Sequence, residues 1–190
     1  TPICHYPLRV NHEKGMRPTR DILYVNGVMN SRDTLHIFVI HAPSRLGGEM
    51  KSRPFRMAVA QRLCESTDSI TAINPDANII IAGDFNDYAG DAPLSAIEEH
   101  NLHDVSKDAK GSHGAKGTYR NKGRWGSLDH IFVSEAMRQR LHSIYINDLP
   151  FLTEEDEKYG GRKPYRTYNG FKYQRNGFSD HLPLVMNINI

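Results

Sequence analysis

Three short segments of the sequence place aspartates and other polar side chains beside apolar runs. Asp84 and Asn86 follow a run of isoleucines in IIIAGDFND, Asp129 stands in SLDHIF, and Asp180 and His181 stand just before LPLV. Carboxylates and amide carbonyls are the ligands that a hard divalent cation such as Mg²⁺ prefers in proteins. Histidine adds a group that gains or loses a proton near neutral pH. These residue types therefore predict a site for a divalent cation, provided that the fold brings them together.

The run before Asp84 predicts how the first of these segments is positioned. Residues 78–82 contain consecutive isoleucines and are followed by a glycine, a pattern typical of a strand buried on both faces. In open α/β sheets, ligands bind just beyond the carboxyl ends of such strands. Alternation along an extended backbone predicts that Asp84 and Asn86 point to one side and Phe85 to the other.

The same alternation predicts that Asp180 and His181 diverge, because they are neighbours in sequence. They can share one site only if the chain turns sharply there, and Gly177 and Ser179 are residues that permit such a turn.

Length and composition restrict the classes of protein that remain. The chain has 190 residues, of which 38% are hydrophobic, enough for one domain over 1–190. A formal net charge of +2 does not by itself indicate a polyanion or a membrane surface as partner. Cys4 and Cys64 fit no repeated metal-ligand spacing and allow at most one disulfide. No segment approaches the roughly 20 apolar residues of a membrane span, and localisation stays open.

Hydrophobic periodicity and turn residues predict alternating strands and helices, hence an α/β fold. Residues 21–29 and 34–40 favour an antiparallel hairpin closed by NSRD, and residues 52–73 favour a helix. The other predicted elements are, in order, a strand at 78–82, a short helix after Pro93, a loop over 107–126, a strand at 128–134, a brief helix capped by Ser134, a strand at 143–147, a hairpin with Asn169-Gly170 at its tip, and a final strand in HLPLVMNINI.

Five of these segments resemble one known family. IAGDFND, SLDHIFVS and GFSDHLPLV are similar to the three C-terminal motifs of the endonuclease/exonuclease/phosphatase family, which contains DNase I and exonuclease III. HAPS at 41–44 resembles its DNase I-like histidine loop, and TRDILYV resembles a strand with a phosphate-contacting arginine. The resemblance runs from about residue 18 to 190 and implies a DNase I-like layered β-sandwich flanked by helices.

The resemblance also implies that part of the family's fold is missing. Family members carry an asparagine in one early strand and a glutamate metal ligand in another, and neither motif stands before Asp21. Residues 1–17 are too few to hold two strands and their helices. The chain is therefore expected to be the C-terminal portion of the domain, incomplete at its N-terminus.

Family roles can be carried over to the matching positions. Asp180 resembles a metal ligand, His181 the histidine beside the scissile phosphate, and Asp129 the carboxylate that orients this histidine. The remaining assignments, also implied by the resemblance, are Asp84 and Asn86 as the pair that positions water and phosphate, His41 as the second histidine with its carboxylate partner in the missing half, and Arg20 as a contact to a phosphate oxygen.

These roles imply a divalent-metal-dependent phosphoesterase, with Mg²⁺ or Mn²⁺ as cofactor and in-line attack of water on a phosphodiester, as in a nuclease. One alternative is a sphingomyelinase-like phosphatase or phosphodiesterase acting on lipid head groups or sugar phosphates. Another is a binding module that kept the fold without catalysis. The expected partners are a phosphate ester, in one case a nucleic acid, and a second copy of the chain bound through surface left exposed by the missing half.

Two basic segments leave two interpretations open. Residues 107–124 are rich in lysine and arginine, and residues 158–175 interleave basic and aromatic residues. Either segment could guide or stack a nucleic acid. Equally, the first could be a solvated loop and the second a hairpin whose aromatic residues pack on one face.

Overall fold

Strands and helices alternate along residues 2–10 and 19–189, which the computed structural model of the chain describes. In chain order the elements are β1 (Pro2–Leu8), β2 (Ile22–Val28), β3 (Thr34–His41), α1 (Glu49–Thr71), β4 (Asn78–Asp84), α2 (Ala92–Glu98), β5 (Leu102–Asp104), β6 (Tyr119–Asn121), β7 (Arg124–Gly126), β8 (Asp129–Ser134), α3 (Glu135–Arg138), β9 (Leu141–Ile146), a 3₁₀ helix (Pro150–Leu152), β10 (Thr153–Glu155), β11 (Arg162–Pro164), β12 (Tyr168–Asn169), β13 (Lys172–Tyr173) and β14 (Leu184–Ile188). The predicted α/β class is confirmed.

A six-stranded mixed sheet in the order β1-β2-β3-β4-β8-β5 forms the centre of the fold. The predicted hairpin of β2 and β3 is present, and β1 adds an antiparallel strand to its edge. β3 and β4 are parallel, so α1 crosses over between them, as a parallel connection requires. β8 returns antiparallel to β4, which makes these two strands meet at the end where β4 reaches Asp84.

Helix α1 covers one face of the central sheet. Its buried residues include Val59, Leu63 and Cys64, which join Phe38 and Ile81 of the sheet in the main hydrophobic core. The helix begins at Glu49 rather than at the predicted Ser52. Its first turn carries no apolar stripe, so hydrophobic periodicity could not reveal it.

The other face of the sheet is covered only in part. β9 and β14 form a two-stranded sheet that packs on Ile80 and Val133 of β4 and β8. On β2 and β3 the same face is open, because the directly paired Leu23 and Val39 are each 43% exposed. We call this the outer face of β2 and β3.

Several predicted elements need correction. The predicted loop over 107–126 contains the β6–β7 hairpin, and the three-residue strand β5 was not predicted at all. β5, β6 and β7 have three residues each, too few to show a periodic pattern in the sequence. Ser134 precedes α3, as predicted, but its side chain makes no capping hydrogen bond and instead donates to the Ala77 carbonyl.

The hairpin predicted near residue 169 is present, with its turn one residue later than expected. Asn169 pairs with Lys172, which leaves Gly170 and Phe171 as the two turn residues. Gly170 has φ 64, a left-handed conformation that suits glycine in such a turn.

Among the residues that the structure describes, no helix is long and apolar enough to cross a membrane. This agrees with the expectation from the sequence.

Candidate active site

A cavity of about 730 Å³ opens at the end of the central sheet where β3 and β4 terminate. Its lining residues come from β3, the loops after β3 and β4, the β6–β7 hairpin, β8 and the segment before β14. They are His41, Ser44, Arg45, Leu46, Asp84, Asn86, Tyr88, Tyr119, Asn121, Leu128, Asp129, Ser179, Asp180 and His181. Six of the seven residues predicted to form a site are in this set, so the structure brings them together.

The register of the sheet explains why three of them meet. His41 of β3 lies beside Asp84 of β4, and Asp84 lies beside Asp129 of β8, as direct Cα partners across the strands. Side chains at paired positions of neighbouring strands come within contact distance of one another. The site therefore rests on a row of residues across three adjacent strands.

The backbone after β4 turns, so the predicted strand alternation does not apply there. Asn86 has φ 53, and its N–H donates to Asp84 Oδ1 at 2.8 Å. This local turn brings Asp84 and Asn86 to the same cavity while Phe85, 4% exposed, points into the core. The prediction that both line one site was right in outcome, but its reason was wrong.

Asp129 and His181 form the closest ionisable pair in the cavity. His181 Nδ1 lies 2.6 Å from Asp129 Oδ2, and the same oxygen accepts a hydrogen bond from the Thr118 hydroxyl at 2.5 Å. This geometry matches the predicted role of Asp129 as the group that orients the imidazole. It also fixes Nδ1 toward the carboxylate, which leaves Nε2 as the nitrogen available to a ligand.

His181 reaches the cavity because the chain turns at Ser179, as the sequence required. The Ser179 hydroxyl accepts the N–H of His181 at 3.1 Å, and Leu182 donates its N–H to the Thr118 carbonyl at 2.7 Å. The Tyr119 ring packs against the His181 ring with centroids 4.9 Å apart. The β6–β7 hairpin thus holds the C-terminal segment in place.

The crowding of carboxylates shifts two pKa values. Burial disfavours the charged form of Asp84, and repulsion from Asp129 adds to this effect, so the pKa of Asp84 is raised above its ordinary 3.8. Burial alone would lower the pKa of His181, but the hydrogen bond to Asp129 and the nearby carboxylates outweigh it and raise that pKa above 6.5. Both shifts indicate a place that favours added positive charge.

Asp84, Asp129 and His181 are the residues whose geometry fits a metal ion. Each offers a ligand atom, and these atoms lie within 4.8 Å of one another. The two carboxylates offer the oxygen ligands that Mg²⁺ and Mn²⁺ prefer, whereas an imidazole suits softer metals such as Zn²⁺. Asp180, the predicted ligand, lines the cavity and is exposed, but it is not a member of this group of three.

His41 lines the cavity as expected, whereas Arg20 does not. His41 Nε2 lies 3.6 Å from Asp84 Oδ2, so Asp84 is a carboxylate neighbour of His41. Arg20 is exposed and does not line the cavity. Its Nη1 reaches the His41 carbonyl at 3.4 Å, which places Arg20 behind the strand end rather than in the site.

The family-model comparison matches residues 4–190 to the endonuclease/exonuclease/phosphatase family. The chain belongs to this family. The match begins earlier than the resemblance seen in the sequence motifs, since it includes most of β1. No curated protein matches the chain in sequence.

Solved structures of this family share the fold at low sequence identity. The Bacteroides thetaiotaomicron mannosyl-6-phosphatase is 17% identical with a TM-score of 0.61, and the match covers 100% of this chain and 67% of that one. The human Nocturnin catalytic domain is 20% identical with a TM-score of 0.57, covering 98% and 58%. Truncated Caenorhabditis elegans TDP2 is 15% identical with a TM-score of 0.59, covering 96% and 64%.

These coverages show that the chain spans about three fifths to two thirds of the length of the family structures it matches. Such identities establish the shared fold. They do not assign a substrate to this family member.

Four residues that matter to the site were not predicted from the sequence. Arg45, Tyr88 and Tyr119 line the cavity, and the fully buried Thr118 bonds Asp129. Tyr88 and Arg45 lie near predicted motifs, at the end of GDFNDY and just after HAPS. No sequence pattern marks Thr118 as a site residue, because it lies within the predicted loop over 107–126.

His130, to which the sequence assigns no role, links elements that adjoin the site. Its side chain is completely buried, with Nδ1 2.8 Å from Asp104 Oδ2 and Nε2 3.0 Å from the Asp87 carbonyl. Burial opposes charge on this imidazole, but Asp104 outweighs burial and raises the pKa of His130. The pair joins β8 to β5 and to the loop after Asp84.

The basic segment 107–124 is not simply a solvated loop. Arg120 is 8% exposed, and its guanidinium contacts Asp156 Oδ2 at 3.2 Å and the Gly160 carbonyl at 2.8 Å. This arginine therefore holds the segment before β11 in place. In the second basic segment, Tyr168 and Tyr173 pack together across the β12–β13 hairpin.

Proposed function

We propose that this family member hydrolyses phosphate esters with the help of a divalent cation. One observation carries the proposal, namely that ligand atoms of Asp84, Asp129 and His181 lie within 4.8 Å of one another inside a cavity of about 730 Å³. The two carboxylates have the oxygen donors that a hard divalent cation requires. Family membership supports the same reaction class.

In this proposal the carboxylates of Asp84 and Asp129 hold the cation, and the His181 imidazole lies beside it with Nε2 toward the phosphate. When bound, the cation would neutralise phosphoryl oxygens and make water a better nucleophile. Asn86 donates its amide N–H₂ to the Ala42 carbonyl at 3.0 Å, which fixes the amide plane at the cavity wall so that its oxygen can orient water. His181 and His41 supply groups that can bear a proton next to the phosphate.

The leading substrate type is a phosphodiester, as in a nuclease, and the alternative is a lipid or sugar phosphate. The ionisable residues that line the cavity are balanced, with three carboxylates (Asp84, Asp129, Asp180) facing two histidines and Arg45. This balance carries no strong positive field for a long polyanion, and it keeps a small phosphate ester as a specific second candidate.

The test is hydrolysis by the purified chain of plasmid DNA, RNA, bis(p-nitrophenyl) phosphate, sugar phosphates and sphingomyelin, before and after EDTA. We expect metal-dependent activity on at least one substrate, lost in EDTA and restored by Mg²⁺ or Mn²⁺. Asp129→Asn and His181→Asn should lower it about a hundredfold or more.

Asp76→Asn is the matched control, because Asp76 is an exposed aspartate just before the opposite end of β4. It should retain full activity. Binding of Mg²⁺ or Mn²⁺ followed by calorimetry separates the two remaining outcomes. Metal binding without hydrolysis of any substrate would favour the non-catalytic binding module, and absence of both would overturn the proposal.

A further inference from the structure

A second polar feature lines the cavity besides the three clustered residues. Arg45 lies in the loop between β3 and α1, and Tyr88 lies in the loop after β4. Arg45 is the only arginine or lysine among the described residues that line this cavity. Its guanidinium carbon lies 4.9 Å from the centroid of the Tyr88 ring.

The position of the Arg45 guanidinium is fixed from one side. Its Nη1 donates to Asp91 Oδ2 at 2.9 Å and lies 3.5 Å from Asp87 Oδ1, and its Nη2 lies 3.7 Å from Glu49 Oε2. Asp91 Oδ2 also accepts the Tyr88 N–H at 2.9 Å. One carboxylate therefore sets both the arginine and the loop that carries the aromatic ring.

The Tyr88 ring is in turn backed by a residue without a side chain. A Cβ atom at Gly126 of β7 would lie 2.7 Å from Tyr88 Cε1, closer than atoms can approach. The ring thus fills space that only glycine leaves open. Arg45, Tyr88 and Gly126 form one packed wall, which we call the Arg45 wall.

Two of the three carboxylates around Arg45 have a second arginine partner. Glu49 is bonded by Arg53, and the buried Asp87 is bonded by Arg56 at 2.7 Å. Asp91 also holds the Tyr88 N–H. Arg45 therefore anchors the loop through Asp91, and its side chain still lies 26% exposed at the cavity.

Donors of Arg45 remain available to a ligand. A guanidinium has five N–H donors in a planar fork that matches phosphate or carboxylate oxygens. Among the described residues, the hydrogen bonds of Arg45 use only Nη1. Nε and Nη2 therefore keep N–H groups that can form a bidentate contact with an anion.

We infer that the Arg45 wall binds a second anionic group of the substrate, separate from the phosphate ester that is hydrolysed. The inference rests on the proposed function and adds a substrate class to it. The cavity of about 730 Å³ lies within the roughly 300–1,000 Å³ of sites that enclose whole small molecules. The second anion is a phosphate or carboxylate, either the neighbouring phosphate of a nucleotide or a second phosphate of a sugar.

The test compares substrates that differ only in the second anion. The nucleotide pair is thymidine 5′-(p-nitrophenyl phosphate) with and without a 3′-phosphate, and the sugar pair is glucose 1,6-bisphosphate and glucose 6-phosphate. In the parent chain we expect the doubly anionic member of one pair to have the higher kcat/KM. The pair that shows this preference identifies the source of the anion.

Arg45→Gln should remove that preference. We expect kcat/KM for the preferred substrate to fall about tenfold to hundredfold, mainly through KM, and to fall clearly less for the partner lacking the second anion. Arg45→Lys keeps the charge but loses the fork and should give an intermediate value. The thermal midpoint of each variant reports whether folding is intact.

Three results would overturn the inference: no preference in the parent for either doubly anionic substrate, an equal loss on both members of a pair, or no effect of Arg45→Gln. If the parent hydrolyses no ester, calorimetry with pyrophosphate decides separately. If pyrophosphate binds the parent and Asp129→Asn but not Arg45→Gln, the anion site at Arg45 is supported although the proposed reaction is not. Absence of pyrophosphate binding would overturn the subsite as well.

Discussion

At the scale of single residues, the site depends on how one oxygen atom is shared. Asp129 Oδ2 accepts two hydrogen bonds, one from the His181 imidazole and one from the Thr118 hydroxyl. Thr118 is completely buried and has no contact with the cavity itself. It therefore acts as a positioning residue, because it fixes the carboxylate that fixes the histidine.

Replacing Thr118 by valine tests this role at nearly constant volume. We expect hydrolysis to fall about tenfold to hundredfold, because a hydrogen bond to a charged group is worth about 1.5–3 kcal/mol. Thr118→Ser keeps the hydroxyl and should restore most of the rate. Steady-state kinetics on the best substrate measures the effect, and equal losses in the two variants would contradict it.

The buried pair of Arg56 and Asp87 makes a prediction about stability. Both side chains are 1% exposed and lie 2.7 Å apart. Arg56→Met leaves Asp87 charged and buried, which should cost about 3–5 kcal/mol of unfolding free energy in urea titrations. Arg138→Met, which removes an exposed pair with Glu135, should leave the urea midpoint almost unchanged. A similar midpoint for both variants would show that Asp87 is compensated by other groups.

At the scale of elements, the register of β3, β4 and β8 determines the site. Gly83 permits this register, because it has φ 146 and a Cβ atom there would lie 2.1 Å from the Ile40 carbonyl oxygen. Any side chain at this position would push β3 and β4 apart. The strand ends that carry His41 and Asp84 would then separate.

Gly83→Ala should therefore destabilise the chain by more than backbone strain alone. Gly90→Ala is the matched control, since Gly90 has φ 86 but nothing within 4 Å of its Cβ position. The control should cost about 1 kcal/mol or slightly more, and Gly83→Ala at least about 1 kcal/mol beyond that, with loss of hydrolysis. Urea unfolding and kinetics measure both, and equal costs would exclude the predicted clash.

The loop between β5 and β6 is organised by a carboxylate from outside it. Asp148 Oδ2 accepts the N–H groups of His113 and Ala115 at 2.8 and 2.9 Å. Burial alone would raise the pKa of Asp148, but these hydrogen bonds and His113 outweigh it and lower the pKa below 3.8. The stability that Asp148 contributes is therefore present above its ordinary pKa and is lost as pH falls through the folded value.

Asp148→Asn should lower the unfolding free energy at pH 7 by about 1–3 kcal/mol, because the amide accepts these N–H groups less strongly. The difference between parent and variant should shrink as pH falls below about 4, because the carboxylate is protonated first in the unfolded parent and only at lower pH in the folded parent. Denaturation at several pH values measures this, and a difference independent of pH would show that charge plays no part.

The long, periodic elements were predictable from the sequence, and the short ones were not. α1, β3, β4 and β8 carry clear hydrophobic patterns, and Asp84 and Asp129 at the ends of β4 and β8 line one cavity, as predicted. The convergence depends on Cα pairing between strands and on the left-handed Asn86, which no local pattern specifies. Arg45 could not be predicted from the sequence, because its position in the cavity is set by contacts with Asp91 and Tyr88, which are distant in sequence.

At the scale of the whole molecule, the outer face of β2 and β3 is an open apolar part of the central sheet. Leu23 and Val39 face each other across the two strands and are exposed, while the same face of β4 and β8 is covered. Paired apolar side chains on an open sheet favour association with another apolar surface. The homodimer expected from the sequence remains a prediction, and this face is where we place it.

Sedimentation velocity at increasing concentration tests the dimer. The parent should show a rising fraction of dimer, and the double variant Leu23→Lys with Val39→Lys should remain monomeric. Ile73→Lys is the control, because Ile73 is 88% exposed at the end of α1, away from this face. A parent that stays monomeric at high concentration would contradict the prediction.

The β12–β13 hairpin has a consequence for how the chain can diversify. No described residue between Asp129 and Ser179 lines the cavity, and the hairpin precedes Ser179, the first of three cavity-lining residues before β14. Phe171 in its turn is fully exposed, and such tips tolerate insertions. Tyr168 of the hairpin lines a second pocket together with Ser179 and Asp180, so a longer turn would extend from a segment that borders the site and would leave the residues of its floor in place.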